Sequence, residues 1–364
     1  MVGKSYTSLL ELYEEITRLE QISGLMTWDQ NVYMPEGAVG SRAAQNSLIT
    51  ALIHQRFTSE KMGRLLRSLE GEELDEKQKV IVRELARDHK RKTAIPEELA
   101  KKISRTETEG TQVWIKAKQN NDFKAFSGTL EKMIDLKKDV AEKIGYEDVP
   151  YDALLDEYEP YMRSKEIVSI FKDLRSKLVP IVDRITASGI EIDISPIKGN
   201  FPVYKQMEMS KGILREIGYD FNIGRLDETE HPFTIGSMDD TRVTTRFKED
   251  DLRPGLFACM HEGGHALYEM GYLKENYCTP LAEPASLGIH ESQSRFWENM
   301  VGRSHGFLKR YLPMMSDIFP SVKKSSLEDV FKAVNHVDPS LIRVEADEVT
   351  YNLHVLIRFE IESE

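Results

Sequence analysis

Leu9, Leu10, Leu12, Tyr13, Ile16 and Leu19 recur at helical spacing, with Glu and Arg on the opposite face, and this texture persists through about the first 180 residues. The first helix is predicted to pass Leu25, Met26 and Trp28 and to break at Met34-Pro35-Glu36-Gly37, a loop. Further helices are expected over 41–55, 57–70, 75–92, 96–119 and 122–144, with Pro96 opening the one at 96. Gly145 and Pro150 mark a loop, and helix resumes from Ser164 to about Ser188. The period then changes. Ile190-Glu191-Ile192-Asp193-Ile194 alternates as a half-buried strand does. A helix around 205–217 ends at Gly218, Arg242 to Phe247 carries a short strand signal, and 252–364 reads as helix again. The pattern predicts a mainly α chain. It reads as one domain over 1–364, divided into a helical part at 1–185, a small strand-bearing region at 186–250, and a second set of helices at 251–364.

Composition narrows the function. With 49 Lys and Arg against 61 Asp and Glu the net charge is −12, which repels phosphate backbones and argues against nucleic-acid binding. No run of about 18 apolar residues occurs, so no membrane-spanning helix is expected. The opening segment is interrupted by Glu11, Glu14 and Glu15 and does not read as a signal peptide. Cys259 and Cys278, the two cysteines, are too few for a disulfide framework and read as two buried thiols. A cytoplasmic location follows as the default.

The chemistry sits at His261-Glu262-Gly263-Gly264-His265. On a helix, positions i and i+4 share a face, so His261 and His265 can bind one metal while Glu262 reaches its water. Zn²⁺ lowers the pKa of that water toward ~7 and polarises a scissile carbonyl. Glu262 then serves as general base and passes the proton to the leaving amine. Gly263 and Gly264 each cost a helix about 1 kcal/mol relative to Ala, so a close backbone approach, by substrate or by a neighbouring strand, is expected there. A catalytic zinc needs a third protein ligand and an open position. Of Glu269, Glu275, Glu283 and Glu291, Glu269 lies on the same helix and cannot converge with both histidines, and Glu275 and Glu283 fall in a loop with Pro280 and Pro284. Glu291, on a second helix, is the choice, although an i+4 pair with Arg295 would also account for it. His290 reads as a neighbour of the metal shell, and Arg343 alone would be a helix arginine pairing with Asp347.

The chain resembles the thermostable metallocarboxypeptidase family, the carboxypeptidase Taq type, which is related in fold to the neurolysin and angiotensin-converting-enzyme peptidases. The matching segments are Leu25-Met26-Thr27-Trp28-Asp29-Gln30 through Met34-Pro35 to Arg42-Ala43-Ala44-Gln45, His231-Pro232-Phe233, Asp240-Thr241-Arg242-Val243-Thr244, the His261–His265 motif, His290-Glu291-Ser292-Gln293 and Ile342-Arg343-Val344-Glu345-Ala346-Asp347, in family order. The resemblance implies an elongated helical peptidase fold with a deep substrate groove and a small β-sheet beside the zinc helix. It implies release of single C-terminal amino acids from peptides with broad specificity, zinc (with cobalt as a substitute), and a homodimer. His261, His265 and Glu291 become ligands, Glu262 the general base, Arg343 a group for the substrate carboxylate, and His231, Asp240 and Arg242 substrate-binding candidates. Family members continue past the Ile342–Asp347 motif, whereas this chain stops at Glu364 within an apparent helix, so either it is a fragment or a second polypeptide completes the site. Two other functions follow from the same residues: an oligopeptidase cutting internal bonds, or a zinc-binding subunit inactive on its own.

Overall fold

The computed structural model describes residues 2–343 and 346–364, so Val344 and Glu345 of the Ile342–Asp347 segment lie outside the described residues. The chain is mainly helical. It runs α1 (Val2–Val32), α2 (Val39–Phe57), α3 (Glu60–Leu69), α4 (Glu76–Ala94), α5 (Glu97–Gln119), α6 (Phe123–Ile144), α7 (Pro150–Leu155), α8 (Ser164–Ala187), α9 (Val203–Ile217), β1 (Gly224–Glu228), β2 (Thr234–Ser237), β3 (Asp240–Thr245), α10 (Leu252–Met270), α11 (Leu287–Arg295), α12 (His305–Ile318), α13 (Leu327–Val334) and α14 (Glu348–Glu362). A π-helical segment, Phe296–Gly302, follows α11 directly. Among the described residues no helix is long and apolar enough to cross a membrane.

The expected parts at 1–185, 186–250 and 251–364 are changes of local pattern, whereas through-space packing forms two compact units. Among the described residues, the first comprises 2–13, 54–169 and 363, and the second 14–53, 170–343, 346–362 and 364. In the first unit Asp75 and Gln78 form a reciprocal capping box that starts α4, and Ser59 and Asp122 cap α3 and α6. One core cluster there packs Leu99 of α5 with Leu136 and Val140 of α6. Pro150 starts α7 rather than sitting in a loop, since its missing N–H costs nothing in a first helical turn.

The second unit holds the motif. Its main core packs Met209 and Ile213 of α9, Leu256 and Met260 of α10, and Leu308, Tyr311 and Met315 of α12. The sheet has the order β1-β3-β2, with β1 parallel and β2 antiparallel to β3. β3 matches the expected strand. β1 and β2 carry no alternating run in the sequence: they are short edge strands, and their place comes from pairing with β3. Ile190–Ile194 is not a strand. The alternation is real, with Ile192 and Ile194 half-buried between exposed residues, but the segment pairs with no neighbour and turns into Ser195–Ile197, where the Asp193 carboxylate accepts from the Ser195 N–H.

A second, smaller core ties the sheet to the motif helix through Leu214, Tyr219, Leu226, Val243, Cys259 and Ala266. Polar links supplement it. The Thr245 hydroxyl donates to the Gly255 carbonyl at 3.2 Å, and the Tyr219 hydroxyl donates to the Thr241 carbonyl at 2.6 Å. Both cysteines are free and buried, as expected, and burial lifts the Cys259 thiol to about 12, so it is inert.

Asp251 caps α10. It is 6% exposed, accepts from the Arg253 N–H, and pairs with Arg253 at 2.8 Å and Lys198 at 2.9 Å. Burial alone would raise its pKa, but these partners outweigh it and hold the carboxyl at about 2 against an ordinary 3.8. A depressed carboxyl stabilises the fold above its unfolded pKa and loses that contribution as pH falls through the folded value. Asp251→Asn is therefore expected to lower stability by roughly 1–3 kcal/mol at pH 7. The gap to the parent protein should shrink as the pH is taken from 3.8 toward 2. Thermal melts of both proteins at pH 7 and near pH 3 check this; a gap that stays constant would contradict it.

Candidate metal and catalytic site

His261 and His265 lie one turn apart on α10, and their imidazole centroids are 5.0 Å apart. α11 crosses them and delivers Glu291 Oε2 to 3.4 Å from Nε2 of each. The ligand atoms of these three residues all lie within 4.8 Å of one another, and no second such group of His, Cys, Asp or Glu occurs among the described residues. The other Glu291 oxygen, Oε1, accepts from Arg295 Nε at 3.2 Å. The i+4 pair and the convergence on the histidines thus coexist, one oxygen each.

The close approach of α11 explains one glycine. A Cβ on Gly264 would stand 2.6 Å from the Gln293 carbonyl oxygen and 2.7 Å from Ser294 Cα, both α11 backbone. A Cβ on Gly263 would meet Leu214 Cδ2 at 2.6 Å. The neighbour at Gly264 is therefore a helix rather than a strand or substrate, and the same contact that excludes a Cβ brings Glu291 to the histidines.

Glu262 is held by Thr234 of β2. It is 7% exposed, and its Oε2 lies 2.8 Å from the Thr234 hydroxyl, which is also 2.8 Å from the Glu262 carbonyl oxygen. Burial pushes its carboxyl upward, only partly offset by His261, Thr234 and His265. A carboxylate raised in this way is a better proton acceptor than an exposed glutamate.

Glu298 was not anticipated. The π-helical turn presents it to His261, with Oε2 2.9 Å from Nδ1. Arg295 and Arg303 hold its two oxygens at 3.3 and 3.2 Å. Burial would raise Glu298, but His261 and the arginines hold it below its ordinary value. His261 is likewise pulled down by burial and held up, on balance, by Glu291 and Glu298. Because a carboxylate can only accept, the hydrogen bond to Glu298 puts a proton on Nδ1, and Nε2, which faces Glu291 and His265, is the nitrogen available to a metal. Nothing in the sequence marks Glu298. Its contact spans 37 residues and depends on a π-turn, a feature that recurs at functional sites but has no sequence signature.

His290 stacks on His265, with centroids 4.3 Å apart. Its Nε2 lies 3.0 Å from Glu269 Oε1, close in distance but outside hydrogen-bond alignment. The remaining candidates lie elsewhere. Asp240 and Arg242 form a two-point pair at 2.8 and 2.9 Å, and the Arg242 guanidinium sits 4.2 Å over the Trp28 ring. His231 is exposed in the turn before β2. Arg343 is exposed and stands in a 3-10 turn, its carbonyl accepting from the Ala346 N–H, and Asp347 caps α14 by accepting from the Val349 and Thr350 N–H groups.

The donor set fits a metal. Ligands 2.0–2.1 Å from a tetrahedral zinc stand roughly 3.3 Å apart, and Glu291 Oε2 is 3.4 Å from each histidine nitrogen. Two imidazoles and one carboxylate, with one position left open, are the set that catalytic zinc sites use.

Comparisons with known proteins identify the family. The family described as carboxypeptidase Taq (M32) metallopeptidase matches residues 8–364. The thermostable carboxypeptidase 1 of Thermus thermophilus is 42% identical over 98% of this chain and 73% of its own. Carboxypeptidase 1 of Bacillus subtilis is 39% identical over 97% of this chain and 71% of its own. Among solved structures, the M32 carboxypeptidase of Deinococcus radiodurans superposes with a TM-score of 0.95 at 36% identity, covering 98% of this chain and 72% of that one.

Proposed function

The chain belongs to the carboxypeptidase Taq (M32) metallopeptidase family and is a metallocarboxypeptidase, a peptide hydrolase; from that premise we propose that it works with zinc held by His261, His265 and Glu291, and with Glu262 as general base. The single observation that carries this reading is the convergence of Glu291 Oε2 on both histidine nitrogens. Zinc bound there supplies Lewis acidity, which acidifies water and polarises a carbonyl. Glu262, next to His261 on α10, takes the proton of the attacking water on its carboxylate and returns it to the amine that leaves. The Thr234 hydroxyl keeps that carboxylate in one rotamer. Glu298 keeps the His261 ring oriented and the neutral ring's proton on Nδ1, so that Nε2 is the nitrogen offered to a metal.

The resemblance supports three further assignments: Arg343 for the terminal carboxylate, a homodimer, and broad specificity at the released residue. The two free thiols support a reducing compartment, the cytoplasm. The exopeptidase reading is tested with N-blocked dipeptides and a longer peptide, each with a free or an amidated C-terminus. Single residues are expected to leave the free-acid peptides only, when Zn²⁺ or Co²⁺ is present, and not after chelation. Equal cleavage of amidated peptides, or cuts at internal bonds, would replace it with the oligopeptidase reading.

A further inference from the structure

Arg295 stands where α11 passes into the π-helical segment, and its guanidinium reaches to both sides of that junction. Toward α11, Nε lies 3.2 Å from Glu291 Oε1. Toward the π segment, Nη1 lies 3.3 Å from Glu298 Oε2, the same oxygen that faces His261 Nδ1 at 2.9 Å. One planar group therefore touches both the third ligand and the carboxylate that orients the first. Nη1 also approaches Asn299 Oδ1 at 3.4 Å. The Tyr351 ring of α14 covers the guanidinium, with Cζ 3.8 Å from the ring centroid.

Exposed ion pairs along a helix contribute little, because each long side chain moves on its own. Arg295 is different: it is half-buried and fixed at Glu291, Glu298 and Tyr351 together. A guanidinium is a rigid fork, so a plane set by Glu298 and Tyr351 also sets where Glu291 can place Oε1. The other oxygen, Oε2, faces both histidines and lies 3.0 Å from the hydroxyl of the fully buried Ser294. Each oxygen of Glu291 thus has its own place. With Oε1 held by Arg295, Oε2 is the oxygen left for a metal. A carboxylate free to turn would instead chelate through both oxygens and take up room that a catalytic metal keeps open.

We propose that Arg295 is a positioning residue of the metal centre: it restricts Glu291 to ligation through Oε2 and couples that ligand to Glu298, with Tyr351 fixing the guanidinium. This rests on the reading of His261, His265 and Glu291 as the metal site.

The test compares the parent chain with Arg295→Lys, Arg295→Gln, Tyr351→Leu and Arg303→Lys, each loaded with Co²⁺ to one ion per chain. Lysine keeps the charge but has no fork. Tyr351→Leu keeps every charge and decides the question should the Arg295 variants fail to fold. Arg303→Lys loosens the other oxygen of Glu298 without touching Glu291. The readout is the visible absorption of bound Co²⁺, which is stronger in tetrahedral sites than in five- or six-coordinate ones. Peak absorption is expected to fall at least about twofold in both Arg295 variants, to fall less in Tyr351→Leu, and to hold in Arg303→Lys. Activity of the zinc forms should drop at least about tenfold with either Arg295 variant. A parent-like spectrum in Arg295→Lys would overturn the proposal, since charge alone would then suffice. An equal fall in Arg303→Lys would overturn it as well, since the effect would not run through Glu291. Metal bound by the parent with a spectrum that none of these variants moves removes the proposal alone. No metal bound by the parent removes the metal site and the proposal together.

Discussion

Glu262→Gln is expected to lower kcat by about 10³-fold or more, within the range assigned to a positioned general base, while one metal per chain stays bound. The substitution is nearly isosteric. It keeps the side chain in its buried place and leaves an amide oxygen facing the Thr234 hydroxyl, now 2.8 Å from Glu262 Oε2. Glu262 is not in the group that converges for a metal, so the ligand set is untouched. What is lost is the ability to accept a proton. Stability should not fall. Burial raises the Glu262 pKa, so the folded chain holds the ionised form at a cost, and a neutral amide relieves it. Three readouts separate the roles: kcat, metal content, and the melting temperature at neutral pH. A variant that loses activity in proportion to its metal would make Glu262 a structural support for the ligands, not a base.

That assignment was readable because its evidence is local. Two histidines four residues apart with a glutamate between them share one turn of one helix, and helical geometry does the rest. The same holds for most of the helices: α4, α5 and α6 fall within a few residues of their expected spans, since amphipathic period and capping residues are written in consecutive positions. Glu291 needed one further step, that a rigid third ligand belongs on a second helix. Glu298 was beyond reach, because a π-turn and a contact between distant residues bring it to His261. β3 was legible, and the other strand readings failed for a related reason. Ile190–Ile194 alternates but finds no partner, whereas β1 and β2 alternate poorly and are strands because β3 lies between them. Alternation reports half-burial, and a strand needs a ladder as well.

Gly264→Ala sets two of these local and non-local effects against each other. Helix propensity alone favours alanine by about 1 kcal/mol. The new Cβ, however, would stand 2.6 Å from the Gln293 carbonyl oxygen, 2.7 Å from Ser294 Cα and 3.0 Å from the Gln293 carbonyl carbon. These are backbone atoms of α11, so no rotamer change can clear them and the helix itself must back away. Overpacking of this kind costs roughly 1–3 kcal/mol or more, which exceeds the propensity gain, so the melting temperature should drop. The larger consequence is chemical. Glu291 sits two residues before Gln293 on the displaced helix, and its Oε2 would retreat from the histidine nitrogens that it now faces at 3.4 Å. A misplacement approaching 1 Å can cost about 10²-fold in activity, and metal affinity should fall with it. Gly263→Ala supplies the contrast. Its Cβ meets Leu214 Cδ2 at 2.6 Å and Ile217 Cδ1 at 3.8 Å, the ends of side chains belonging to the small core rather than to the ligand helix. It should destabilise the fold yet spare metal affinity. If Gly264→Ala bound metal as tightly as the parent protein, the contact between the two helices would not be what sets the third ligand, and the glycine would need another explanation.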